Sequence, residues 1–120
     1  MSTRTPNTIN YIELPARDAA TVATARRFYG EAFGWTWKDW GDEYADTHSS
    51  GVNSGLNGTN EHRSATPLVV LYVSNLEEAR AKVIAAGGTI TDDIFDFPGG
   101  RRFHFRDPAG NELGTWSEVA

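Results

Sequence analysis

Residues 68–88 read LVVLYVSNLEEARAKVIAAGG, and this stretch decides the architecture. Leu68 to Val73 is an apolar run of strand length. Asn75 follows, a residue whose short side chain accepts a hydrogen bond from the first turn of a helix. Leu76, Ala79, Val83 and Ala86 then recur at helical spacing, and Gly87-Gly88 end the helix, because glycine adopts the left-handed conformation of a helix end without steric cost. Downstream, Thr89 to Phe97 and Arg101 to Arg106 read as strands around a Pro98-Gly99-Gly100 turn, and Asp107-Pro108-Ala109-Gly110-Asn111 turns the chain into a last strand, Glu112 to Trp116. The order is βαβββ.

Working upstream, the same order appears again. Ile9 to Leu14 alternates polar and apolar as a strand does, Asp18 offers a helix cap, and Val22, Ala25, Phe28, Tyr29, Ala32 and Phe33 form a helical stripe that Gly34 stops. Trp35 to Trp40, Tyr44 to His48 and Gly51 to Gly58 read as three short strands. Thr59 to Pro67 is polar and reads as a linker. Superposing the caps Asp18 and Asn75 gives an offset of 57 residues, which lays Gly55-Leu56-Asn57-Gly58 over Glu112-Leu113-Gly114-Thr115. The expectation is an α+β chain forming a single domain, with module one over about 8–58, a linker over 59–67 and module two over about 68–117. One helix and one small sheet bury too little to stand alone, so two such modules must pair.

Composition narrows the function. In 120 residues, 39% are hydrophobic and 22% charged, too apolar for a disordered chain. The longest apolar run, Leu68 to Val73, is far short of the roughly 18 residues that cross a bilayer, so no membrane partner is expected. No apolar segment of signal-peptide type follows the polar start, and the expected location is the cytoplasm. The absence of cysteine excludes disulfide scaffolds, thiol chemistry and cysteine-bound zinc. A net charge of -5 lacks the electrostatic footprint of a nucleic-acid binder, so no nucleic acid is expected either.

Several passages together carry a resemblance. The repeated βαβββ order, the Ile12-Glu13-Leu14-Pro15 strand with Asp18, Arg27-Phe28-Tyr29 to Phe33-Gly34-Trp35, Ala85-Ala86-Gly87-Gly88, and Phe105-Arg106-Asp107-Pro108-Ala109-Gly110-Asn111 resemble the vicinal oxygen chelate superfamily. That superfamily includes glyoxalase I, bleomycin-resistance proteins and extradiol dioxygenases, and the nearest look-alikes are small glyoxalase-like bacterial proteins. The resemblance implies two βαβββ modules forming an open, cup-shaped mixed sheet with helices on the convex face and ligand on the concave one. It also implies where a metal would be held: on the first strand of each module and on each last strand. Those positions hold Tyr11, Leu68 and Gly114, with Asn57 supplied by the repeat. Leu68 and Gly114 have no donor atom, whereas a divalent transition metal wants three or more His, carboxylate or thiolate ligands. No metal and no other cofactor is therefore expected.

Period-two alternation places Tyr11 with Glu13, Val70 with Tyr72, and Glu112 with Trp116 on the side away from Ile12, Leu14, Val69, Leu71, Val73 and Leu113. That face is aromatic and acidic, suited to flat or cationic ligands through stacking and cation-π contact. If Phe103 and Phe105 pack under the helices, His104 joins it. His48 and His62 lie on separate segments with no metal-ligand spacing. The expected ligand-binding residues are Tyr11, Glu13, Asn57, Tyr72, His104, Glu112 and Trp116. The leading functional expectation is metal-independent binding of a small, partly aromatic or cationic molecule, with sequestration as one form. A second is a glyoxalase-like lyase or isomerase, whose catalytic candidates are Glu13, His104 and Glu112, alone or with an off-pattern metal. A third is a dimeric structural or regulatory module. The four tryptophans, six phenylalanines and four tyrosines exceed the packing needs of two thin modules, and large rings are enriched at subunit contacts, so a homodimer is expected.

Overall fold

Both helix caps and both glycine stops act as the sequence suggests in the computed structural model, which describes residues 4–118. The elements, in chain order, are β1 (Thr8–Pro15), α1 (Ala19–Phe33), β2 (Lys38–Asp39), β3 (Tyr44–Thr47), β4 (Ser54–Asn57), β5 (Leu68–Tyr72), α2 (Leu76–Ala85), β6 (Thr89–Phe97), β7 (Gly100–Arg106) and β8 (Glu112–Ser117). The Asp18 carboxylate accepts the Thr21 N–H at 2.8 Å and the Asn75 side chain accepts the Glu78 N–H at 3.0 Å. Each satisfies a donor that the first helical turn would leave unpaired. Gly34 ends α1 at φ 74, in the left-handed region. No helix among the described residues is long and apolar enough to cross a membrane.

The chain divides into two compact units, one from Tyr11 to Leu68 and the other combining the N-terminal residues up to Asn10 with Val69 onward. In the first unit the strands hydrogen-bond in the order β2-β3-β4-β1, antiparallel except for the parallel pair β1 and β4. Its core is Ala16, Val22, Ala45 and Leu56, with Leu14, Ala25 and Trp37 packed around them. In the second unit the order is β5-β8-β7-β6, again antiparallel except for the parallel pair β5 and β8. Its core is Val73, Leu76 and Phe103, flanked by Ala79, Val83, Ile90, Ile94 and Phe105. In both units one face of the sheet packs under the helix and the opposite face carries the residues of functional interest. Each sheet is open.

Three expectations change. The strands expected over Trp35 to Trp40 and Gly51 to Gly58 shrink to Lys38–Asp39 and Ser54–Asn57. The Trp35 and Trp37 rings engage Tyr29, with centroids 5.0 and 6.1 Å away, so the segment before β2 follows its rings onto the helix. The stripe on α1 is not a continuous core face: Phe28 and Phe33 are 56% and 65% exposed, and Val22 is the fully buried residue of the helix. A helix of 15 residues spans about 22 Å, whereas the four-residue strands β3 and β4 reach about 13 Å. The sheet runs out before the helix does.

The third change is in the repeat. Glu13 pairs with Gly55 across β1 and β4, and its repeat-mate Val70 pairs with Gly114 across β5 and β8. The counterpart of Gly114 is therefore Gly55, and that of Asn57 is Trp116. The constant offset fails on the last strand because the connections differ in length between halves; β2 has two residues where β6 has nine. Pairing, not spacing, sets register. The expected linker is also tied down, since the Arg63 guanidinium donates to the carbonyls of Ala16 at 2.8 Å and Arg17 at 3.0 Å.

Candidate functional site

In the first unit the face away from α1 is organised around a buried carboxylate. Glu13, on β1, is 3% exposed. Its Oε2 accepts the Tyr44 hydroxyl from β3 at 2.9 Å and its Oε1 accepts the Asn57 amide from β4 at 3.1 Å. The Tyr11 and Tyr44 hydroxyls are 2.7 Å apart, which extends the chain of hydrogen bonds by one phenol. Asn57 is itself oriented, because its carbonyl oxygen accepts the backbone N–H and the hydroxyl of Thr59 at 3.0 and 2.8 Å. That leaves its NH2 for Glu13. Burial, and next the negative charge of Glu13, push the Tyr44 phenol far above its ordinary value, so it remains a neutral donor.

Gly55 makes this arrangement possible. A Cβ there would lie 2.0 Å from the Tyr11 hydroxyl oxygen and 2.4 Å from that of Tyr44. Any side chain would drive the two phenols apart. Asp46 shares this face through its pairing with Gly55, and its Oδ1 is buried without a hydrogen-bond partner among the described residues.

In the second unit the corresponding face is aromatic and carries guanidinium groups. Trp116, on β8, meets Tyr72 of β5 and Phe97 of β6 edge-on, with ring centroids 5.2 and 5.9 Å away. Its indole N–H donates to the Asn10 side chain at 3.1 Å. Arg102 pairs with Trp116 across β7 and β8 and stacks its guanidinium over Phe95 at 5.1 Å and Phe97 at 5.8 Å. His104 is 2% exposed on the same face, edge-on to Phe95 at 5.6 Å and 4.0 Å from the Asp92 carboxylate. Phe103 packs with the helix side, as the alternation required. On that helix side lies a shallow apolar cleft of about 200 Å³ lined by Leu71, Val73, Ala79, Val83 and Phe105.

The expected residues thus fall into two groups. Tyr11, Glu13 and Asn57 meet in one hydrogen-bonded network, and Tyr72 and Trp116 meet in one aromatic cluster, with His104 on the same face. Glu112 stands apart at the start of β8, where it accepts the Thr91 hydroxyl at 2.7 Å. His48 and His62 are exposed, and among the described residues neither belongs to a group of three His, Asp or Glu side chains that could hold a metal. Sequence reasoning missed Tyr44, Arg102 and Gly55. Arg102 was reachable, since it alternates with His104. Tyr44 and Gly55 were not, because only the pairing of β3, β4 and β1 brings them to Glu13.

The donor chemistry does not fit a divalent transition metal. Leu68 is fully buried packing material, Gly114 and its counterpart Gly55 carry no donor, and the Tyr11 phenol and Asn57 amide are engaged in the Glu13 network. Among the described residues no three His, Asp or Glu side chains stand close enough to share an ion.

A family model described as the Glyoxalase/Bleomycin resistance protein/Dioxygenase superfamily matches residues 8–115. Among solved structures, the chain resembles one described as an NAD-dependent benzaldehyde dehydrogenase from Legionella pneumophila, with TM-score 0.73 and 13% identity, covering 90% of this chain and 97% of that one. It resembles a glyoxalase/bleomycin resistance protein/dioxygenase superfamily member from Vibrio splendidus 12B01, with TM-score 0.67 and 16% identity, covering 93% and 100%. It also resembles methylmalonyl-CoA epimerase from Mycobacterium tuberculosis, with TM-score 0.67 and 12% identity, covering 100% and 93%. At these identities the likeness speaks for the fold. No curated protein gives a significant match.

Proposed function

The chain belongs to the glyoxalase/bleomycin resistance protein/dioxygenase superfamily, and from that premise we propose that it binds, without a metal, a small molecule bearing an aromatic ring or a cation on the Tyr72 and Trp116 face of the second unit. The observation that carries this reading is the Trp116 indole set between the edges of Tyr72 and Phe97 with its N–H held by Asn10. An oriented indole is a stacking surface with little side-chain conformational entropy left to lose on binding. The absence of donors at Leu68, Gly114 and Gly55 supports the metal-independent part. Titration with indole, phenol and tetramethylammonium, followed by calorimetry on metal-stripped protein, tests both parts. Binding that appears only after Zn, Ni, Mn or Fe is added back overturns the metal-independent reading.

A second reading has its own observation. A carboxylate 3% exposed and hydrogen-bonded to a phenol and an amide is the kind of group that moves a proton in acid-base chemistry. Under it Glu13 is the base of a lyase or isomerase and Tyr44 positions it. Loss of turnover in Glu13→Gln with ligand binding intact favours this reading over pure sequestration. The proposal includes a cytoplasmic homodimer, supported by the exposed rings of Phe28, Phe33 and Trp40. Light scattering across micromolar concentrations tests the dimer, and a mass of one chain throughout overturns it.

A further inference from the structure

The N-terminal arm places a cation on the aromatic cluster. Pro6 followed by Asn7 at φ 64 has the chemistry of a tight turn, with proline presetting one residue and asparagine tolerating the left-handed conformation of the next. The Thr8 hydroxyl donates to the Thr5 carbonyl at 2.6 Å across this turn, and the Asn7 N–H donates to the Tyr72 carbonyl at 2.7 Å, pinning it to the end of β5. Arg4 is thereby brought back over the rings. Its guanidinium carbon lies 4.8 Å from the Trp116 ring centre and 5.9 Å from that of Tyr72. Its Nη1 donates to Glu118 Oε2 at 2.8 Å, and the other oxygen of Glu118 accepts the Tyr72 hydroxyl at 2.8 Å.

Two ring faces and a carboxylate held in place by a phenol are what a guanidinium or alkylammonium ligand needs: quadrupole attraction from the rings and a charge-assisted hydrogen bond or ion pair at the rim. We propose that Tyr72, Trp116 and Glu118 form a seat for such a cation, and that Arg4 of the same chain fills it until a free cation of that class displaces it. This inference rests on the reading that the Tyr72 and Trp116 face takes the ligand. The Arg4 side chain is 44% exposed and that of Glu118 40%, so the contact is open to exchange and screened by solvent, as a displaceable plug must be. A short tether presents its end group at an effective concentration in the millimolar range, and a plug whose own dissociation constant is about a tenth of that concentration holds a free cation off by roughly tenfold.

The test titrates methylguanidinium and tetramethylammonium into the wild-type chain, Arg4→Ala and Arg4→Gln, following the Trp116 indole N–H resonance, with circular dichroism confirming the fold of each. The expected result is affinity about tenfold tighter in both variants than in wild type, unchanged in Arg4→Lys, and lost again in Arg4→Ala combined with Glu118→Gln. Equal cation affinity in wild type and the Arg4 variants overturns the plug, as does a tightening that survives Glu118→Gln. Neutral indole, titrated in parallel, separates this failure from that of the underlying reading. If indole shifts the Trp116 resonance while the Arg4 variants gain no cation affinity, the plug is wrong and the binding face stands. If neither indole nor cation moves it in any protein, both are wrong.

Discussion

The two units repeat one topology and use it in opposite ways. Across the paired strands, Glu13, Tyr44 and Asn57 of the first unit occupy the register positions of Val70, Arg102 and Trp116 in the second. In the first, a buried anion is satisfied by neutral donors, a phenol and an amide. In the second, a buried cation lies against ring faces, with Arg102 stacked on Phe95 and Phe97. Hydrogen bonds are short-ranged and directional, whereas a quadrupole attraction tolerates sliding, and each contributes to offsetting the cost of removing a charge from water. The difference teaches what each face is suited to. A directional network fixes its members to one geometry, whereas an aromatic cluster accepts ligands that vary in shape.

The comparison breaks most visibly if the first face is made to imitate the second. Glu13→Val, which installs the residue type of position 70, leaves the Tyr44 hydroxyl and the Asn57 amide without their acceptor. It is expected to cost about 2–4 kcal/mol in urea denaturation, since each buried donor left unpaired costs about 1–3 kcal/mol. Glu13→Gln keeps an acceptor and is expected to cost less than half as much. Equal losses in the two variants would mean that volume, not hydrogen bonding, holds this face.

Gly55→Ala is next in size. The added methyl meets two phenol oxygens, and the expected destabilisation is about 1–3 kcal/mol, in the range of overpacked cores. Pairing it with Tyr11→Phe, which removes the nearer oxygen, sharpens the comparison: recovery of most of the loss locates the strain at the Tyr11 hydroxyl. On the second unit, Trp116→Ala is expected to weaken indole binding by about 1–2 kcal/mol in calorimetry, as loss of a stacking anchor does. Unchanged affinity would move the ligand to the apolar cleft lined by Leu71, Val83 and Phe105.

The smallest effect concerns the two helix caps. The Thr21 hydroxyl and backbone N–H hold the Asp18 carboxyl below its ordinary value of 3.8, so the cap of α1 is fully in place above that pH and is lost as pH falls through the lower folded-state value. Asn75 caps α2 without a titrating group. In amide exchange carried out well below pH 3.8, Thr21 is expected to lose protection while Glu78 keeps its bond to Asn75, and Asp18→Asn is expected to abolish the difference. Parallel loss at both amides would show that acid acts on the whole fold and not on one cap.

The order of elements was written in the chain. Asp18 and Asn75 before periodic apolar stretches, Gly34 and Gly87-Gly88 after them, and the Asp107 to Asn111 turn are local signals whose chemistry depends on a few neighbouring residues, and each acts where it was read. So does the face assignment of Tyr11, Glu13, Tyr72 and Trp116, because alternation along a strand is a property of the backbone alone; His104 joins them because Phe103 packs into the helix-side core. Only tertiary structure decided what those side chains meet. The register that makes Gly55 the partner of Glu13, the phenol that Tyr44 brings from a strand not adjacent in sequence, the exposure of Phe28 and Phe33, and the return of Arg4 onto Trp116 all depend on pairing between segments separated along the chain. Their energies are set by packing at distances that no local pattern encodes.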